Sequence, residues 1–215
     1  MPQNITVFYP NMIKLFKECP FRFHYKYNEQ IPAPLLDKGF ITGKNIHSLA
    51  LYYLKGENTT KFEKGLSLKE KELWKTLKEN PYFKYEIVGT EKNILSKAGN
   101  YWLGGRIDAL VKNENDYYIL DYKTGGVNND MTFDEQTMVY LILCDNFIKE
   151  YNSLSFVYLD LKNKKEVKIE FSPKLKEKYL EELKSALDEI NSFNPDKQEK
   201  KENCKCEYEK LCKFN

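Results

Sequence analysis

The chain has 215 residues, of which 41% are hydrophobic and 31% charged, with a formal net charge of +2. That length and balance suit one ample core and exclude a disordered or fibrous chain. A charge so close to neutral also excludes a global basic field, so any phosphate-binding surface must be a local groove.

The first residues, MPQNITVFYP, lack the charged leader and apolar core of a secretory signal. The longest apolar run, MVYLILC at Met138–Cys144, stops at Asp145 and is too short to cross a bilayer. No membrane association and a cytoplasmic location are expected. In that reducing compartment the five cysteines point to metal binding or burial rather than to disulfides.

In chain order, Tyr9 to Tyr27 is aromatic and basic, and Pro20 after Cys19 predicts a helix ending near Cys19 with a second turn starting at Pro20. A Pro-containing connector, Gln30–Phe40, leads into a helix from Thr42 to about Leu54. Thr42 serves as its cap, and Ile46, Leu49, Ala50 and Tyr53 fall at helical spacing. Ser67 to about Glu79 reads as another helix. The period then changes, and Phe83–Ser96, Tyr101–Lys112 and Tyr117–Lys123 read as strands separated by turn signals at residues 98–100 and 113–116. Along the second, alternation places Tyr101, Leu103, Ile107, Ala109 and Val111 on one face, with Trp102, Arg106 and Asp108 on the other. Along the third, Ile119, Asp121 and Lys123 share a face. A helix from about Phe133 to Phe147, strands at Ser153–Asp160 and Lys165–Glu170, and a long amphipathic helix after Pro173 follow. The chain closes on a polar linker and Cys204, Cys206 and Cys212. This order predicts a single α/β domain over residues 1–215, with a helical part at 1–80, a core at 81–195 and a Cys-rich tail at 196–215.

The segment GGRIDALVKNENDYYILDYKTGG, Gly104–Gly126, carries one aspartate on each strand of a hairpin, and the pleat sends Asp121 and Lys123 to the same side. Phosphodiester hydrolysis needs carboxylates that hold a divalent cation at a non-bridging oxygen. It also needs a positive group beside the attacking water and the developing charge. An acid-x-Lys strand with a second acid next door supplies both, and aspartate oxygens favour magnesium or manganese. Asp-x-Lys alone alternates along many solvated strands, so the surrounding words carry the weight.

GRIDAL and ILDYKTG resemble, in order and spacing, the core motifs of RecB-type PD-(D/E)XK nucleases. That group includes the nuclease modules of the RecB and AddB helicase-nucleases and the iron-sulfur CRISPR-associated exonucleases. Upstream, Gly43–His47 (GKNIH) resembles the G-x-x-x-H helix of the family; downstream, Gln136–Tyr140 (QTMVY) resembles its Q-x-x-x-Y motif. The resemblance spans nearly the whole chain. It implies a restriction-endonuclease-like core, a mixed central sheet flanked by helices. It further implies that Asp108 and Asp121 hold the metal with His47 and Glu91 as further ligands, Glu86 competing for the last position. Lys123 would position the water and stabilise charge, while Gln136 and Tyr140 would contact the DNA. DNA is then the partner and exonucleolytic hydrolysis the reaction, with a helicase or CRISPR adaptation proteins as associates. The alternative is a non-cleaving DNA-binding accessory module of such an assembly. Gly43-Lys44 is no ATP loop, because GFITGKN has one residue too few between its glycines and an Asn where Ser or Thr belongs.

Cys19, in KECPFRFHYKY, resembles the C-P-x-x-F stretch that opens the iron-sulfur members, which close their cluster with three cysteines after the nuclease domain. Cys206 and Cys212 keep the usual five-residue gap around Tyr208, whereas Cys204 is separated from Cys206 by one residue instead of two. The resemblance implies a 4Fe-4S cluster on Cys19, Cys204, Cys206 and Cys212; four thiolates would also accept zinc. Cys144 reads as a small buried hydrophobe.

Overall fold

The computed structural model describes residues 5–33, 41–199 and 205–214. Its centre is a six-stranded mixed sheet built from β1 (Val7–Phe8), β2 (Glu86–Ala98), β3 (Tyr101–Asn113), β4 (Asp116–Lys123), β5 (Ser153–Asp160) and β6 (Lys165–Glu170). Strand β3 is the hub. It pairs antiparallel with β2 along its length, while β1, parallel, takes Trp102 and Leu103, and β4, antiparallel, takes Ala109 to Asn113. Between those two partners, residues 104–108 of β3 have no ladder neighbour on that edge among the described residues. Beyond β4 the sheet continues through β5, parallel, and β6, antiparallel.

The helices are α1 (Pro10–Glu18), α2 (Pro20–Phe23), α3 (Ile41–Leu54), α4 (Thr60–Gly65), α5 (Leu68–Lys78), α6 (Glu135–Phe147), α7 (Pro173–Ser192) and α8 (Glu209–Phe214). Local chemistry accounts for several boundaries. Pro10 and Pro20 open α1 and α2 at first-turn positions, where a missing N–H leaves no bond unmade. Ser67 caps α5 in a reciprocal box with Glu70, and the Asp134 carboxylate accepts from the Gln136 backbone N–H at the start of α6. Thr42, expected as a cap, lies inside α3, which already includes Ile41. Strand β2 starts at Glu86 rather than Phe83, because Pro81–Lys84 form a 3-10 turn whose first N–H is taken by the Asn80 side chain.

Two cores sandwich the sheet. One lies under α1, α6 and α7, with Ile13, Phe16, Leu143 and Leu187 over Leu103, Phe156 and Tyr158. The other lies under α3 and α5, with Leu49, Trp74 and Leu77 over Val111, Leu120 and Val157. In α6 every residue from Thr137 to Cys144 is buried, the all-round apolar helix of a core centre. The single face expected from Tyr101 to Val111 is broken. Leu103 and Ile107 join the first core, but Ala109 and Val111 join the second, so the alternation changes phase at Asp108. Opposite Asp108 in the β2–β3 register stands Glu91, whose φ of 46° is left-handed. Among the described residues no helix is long and apolar enough to cross a membrane.

Candidate active site

The site forms where β3 loses its edge partner and α3 and α6 approach from opposite faces. Asp108, at the phase change, turns one carboxylate oxygen back to accept the Tyr122 N–H of β4 at 3.0 Å. Its other oxygen lies 3.2 Å from Nδ1 of His47 on α3. The second ring nitrogen of His47, Nε2, is 2.9 Å from the Tyr122 carbonyl oxygen, which has only acceptor capacity, so this nitrogen carries the proton. Burial disfavours the charged ring. The hydrogen bond and charge of Asp108, the Tyr122 carbonyl and the more distant charge of Asp121 outweigh it and raise His47 from 6.5 to about 9. The ring is therefore an imidazolium at neutral pH. A cation would displace the Nδ1 proton and leave Nε2–H on Tyr122 to fix the tautomer.

Glu91 completes the cluster. Ligand atoms of His47, Glu91 and Asp108 all lie within 4.8 Å of one another. The left-handed backbone at Glu91 is a strained conformation for a non-glycine residue, of the kind that concentrates at functional sites. Glu86, the competing acid, sits at the start of β2, exposed and paired with Lys112 at 3.0 Å.

Asp121 is beside this cluster rather than in it. It is 3% exposed, and its two oxygens are engaged by Lys123 Nζ at 2.7 Å and by the Gln136 side-chain amide, which donates to the other. The Gln136 carbonyl accepts from Lys123 Nζ at 3.0 Å, closing a triangle of Asp121, Lys123 and Gln136. Burial, then the Asp108 charge, raise the Asp121 pKa, while Lys123 pulls it down. Tyr140, one turn beyond Gln136, lays its ring on Gly105 and donates its hydroxyl to the Arg106 carbonyl at 2.9 Å. Its ring occupies the space that any Cβ at position 105 would need.

One residue at the site went unassigned in the sequence. Arg106, two before Asp108 on β3, pairs through Nε with Glu91 at 2.9 Å, while its side chain stays 67% exposed. The same-face relation of positions 106 and 108 was the available signal. Two clefts meet here. One, of about 830 Å³, runs between α3 and Thr124–Gly126. The other, of about 450 Å³, runs between α1 and α6. Arg106 and Lys123 line both.

Sequence comparison decides the family: the profile of the PD-(D/E)XK nuclease superfamily matches residues 10–102 and, overlapping them, 62–213. The chain belongs to the PD-(D/E)XK nuclease superfamily. Within it, the CRISPR-associated exonuclease Cas4 of Francisella tularensis subsp. novicida is 25% identical over 122 residues, 56% of this chain and 61% of that protein. The match thus spans less than two thirds of that relative. A crystal structure from Eubacterium rectale, described provisionally as an exonuclease, superposes with a TM-score of 0.63 at 12% identity over 98% of this chain and 88% of that one. That likeness is one of fold: a restriction-endonuclease-like core with a mixed sheet between helices.

Among the described residues of this PD-(D/E)XK chain, no thiol belongs to the His47, Glu91 and Asp108 group. Cys19, Cys206 and Cys212 all pack on one aromatic cluster of Phe21, Tyr25 and Tyr208. Around it the chain ends are tied by Arg22 to Glu207 at 2.9 Å and by the Tyr208 hydroxyl donating to the Ile31 carbonyl at 2.9 Å. Cys204 lies outside the described residues. Cys144 is fully buried in α6, and burial pushes its thiol well up.

Proposed function

We propose that this chain is a magnesium- or manganese-dependent deoxyribonuclease of the RecB and AddB type that degrades DNA from an end. The single observation that carries the reading is the convergence of His47, Glu91 and Asp108 within 4.8 Å, with Lys123 held beside them by Asp121 and Gln136. One imidazole and two carboxylates form a donor set suited to magnesium or manganese. When bound, the cation polarises a non-bridging phosphate oxygen and lowers the pKa of a water molecule. Asp121, beside the cluster, would serve as a further ligand. Lys123 then presents its ammonium to the water and to the negative charge that develops on the phosphate. Gln136 holds Lys123 and Asp121 in register, and with Tyr140 it guides the strand past them.

The name of the Francisella relative, a CRISPR-associated exonuclease, supports exonuclease action in a CRISPR setting; CRISPR adaptation proteins or a helicase are the partners we propose from the sequence resemblance. Three thiols from both ends of the chain on one aromatic cluster support a structural 4Fe-4S site completed by Cys204, zinc being the other metal that four thiolates accept. The rival reading, a DNA-binding accessory module, keeps the fold but not the chemistry. End-labelled single- and double-stranded oligonucleotides incubated with magnesium, with manganese and with chelator separate the two. Metal-dependent shortening of the strand is expected. Binding without any cleavage, in protein with intact metal content, would establish the accessory module instead.

A further inference from the structure

We propose that Arg106 is a clamp for a backbone phosphate of the DNA strand, and that Glu91 holds it in place. The inference rests on the nuclease reading and deepens it by naming where the substrate crosses the site. Arg106 stands on β3 two residues before Asp108 and pairs with Glu91 of the metal-ligand cluster. Its Nε lies 2.9 Å from one Glu91 oxygen, an ion pair that keeps the guanidinium beside that carboxylate. No other ion pair or hydrogen bond of that guanidinium occurs among the described residues, so its terminal nitrogens stay available on a side chain that is 67% exposed. A guanidinium presents a planar fork that matches two phosphate oxygens, a geometry no lysine reproduces.

Placement makes the substrate specific. The two clefts share Arg106 and Lys123 in their linings, which places both side chains where a strand running from one cleft to the other would cross. Other charges in the second cleft are already neutralised: Lys14 pairs with Asp134 at 3.4 Å, and Glu135 with Lys17 at 3.1 Å. Lys123 is committed to Asp121. Arg106 is thus the cation there whose partner, Glu91, also belongs to the metal group.

The test uses Arg106→Ala and Arg106→Lys with oligonucleotides in which single phosphates are replaced, position by position, by uncharged methylphosphonates. In the unaltered chain, one methylphosphonate next to the scissile bond should raise KM by roughly tenfold, as loss of a charge-assisted bond does. In Arg106→Ala the same substitution should make no further difference, and the log–log salt dependence of single-strand binding should flatten by about 0.7, one phosphate contact. Arg106→Lys should restore the salt slope but not the sensitivity to that one phosphate. If Arg106→Ala keeps the salt slope and the methylphosphonate profile but loses manganese affinity by calorimetry, Arg106 only orients Glu91 and the clamp is overturned. If the unaltered chain neither binds nor cuts DNA, the nuclease reading itself fails, and the clamp with it.

Discussion

Lys123 sits between an aspartate and a glutamine whose positions were set by different elements, and its ammonium has little freedom to move. Removing it takes away charge stabilisation at the transition state more than binding. Lys123→Ala should therefore lose about 10²–10³ in kcat or more, while manganese binding by calorimetry and DNA binding by fluorescence anisotropy persist. Turnover near that of the unaltered chain would remove Lys123 from the chemistry. His47 gives a second prediction with a defined sign. Its folded pKa is raised from 6.5 to about 9, so the His47–Asp108 pair stabilises the metal-free fold fully below 6.5 and loses that contribution as pH rises through about 9. A cation taking Nδ1 must expel the same proton. Manganese affinity should accordingly climb from pH 7 towards 9, with close to one proton released per ion from this ring at pH 7. Titrations in buffers of different ionisation enthalpy report that number. A pH-independent affinity would mean that His47 is no ligand.

At the scale of elements, the site depends on how closely α6 rides on β3. Gly105 permits it, because the Tyr140 ring and Leu143 fill the volume over that residue. Gly105→Ala must push α6 outward or bend β3, and overpacking of this kind costs about 1–3 kcal/mol. Urea denaturation should show that loss. Activity should fall by more than the folded fraction does, because Gln136 on the displaced helix positions Asp121 and Lys123. On the other face, α5 has a capping box between Ser67 and Glu70, with Asn45 of α3 donating to the same glutamate at 2.7 Å. Ser67→Ala should destabilise the fold by about 1 kcal/mol and leave cleavage by the remaining folded protein unchanged. A larger effect on cleavage than on stability would mean that α5 contributes to the site through α3.

For the molecule as a whole, the ends of the chain form one unit. Residues 19 and 206–212 share an aromatic cluster, and Arg22–Glu207 closes over it. Protein purified without oxygen should be brown, with iron and sulfide near one four-iron cluster per chain. Cys19→Ala, Cys206→Ala or Cys212→Ala should release the iron and expose the tail to protease, while Cys144→Ala, inside the core, should retain it. Stoichiometric zinc with no iron, in protein from iron-replete cells, would replace the cluster while keeping the clasp.

Periodicity and turn chemistry are local properties, and they were enough to place β5 and β6 as they stand and the hairpin of Asp108 and Asp121 to within a residue or so. They also placed α1, α5 and α7 closely. The two-residue β1 was invisible, because so short a strand exists only through its pairing with Trp102 and Leu103. The six-residue α4 carries no buried stripe to announce it. At the site, the sequence by itself determined which residue types were present and which of them shared a strand face. It named Glu91 as a ligand with Glu86 still competing, gave Gln136 no tie to Lys123, and passed over Arg106. Only the tertiary structure brought His47 of α3, Glu91 of β2 and Asp108 of β3 together, and Cys19 near Cys206 and Cys212. The reason is physical: a side chain's neighbours on its own element follow from the backbone period, but its neighbours across elements follow from sheet register and helix packing. Those are fixed by burial of the whole core, and at Asp108 they even reverse the period of the strand.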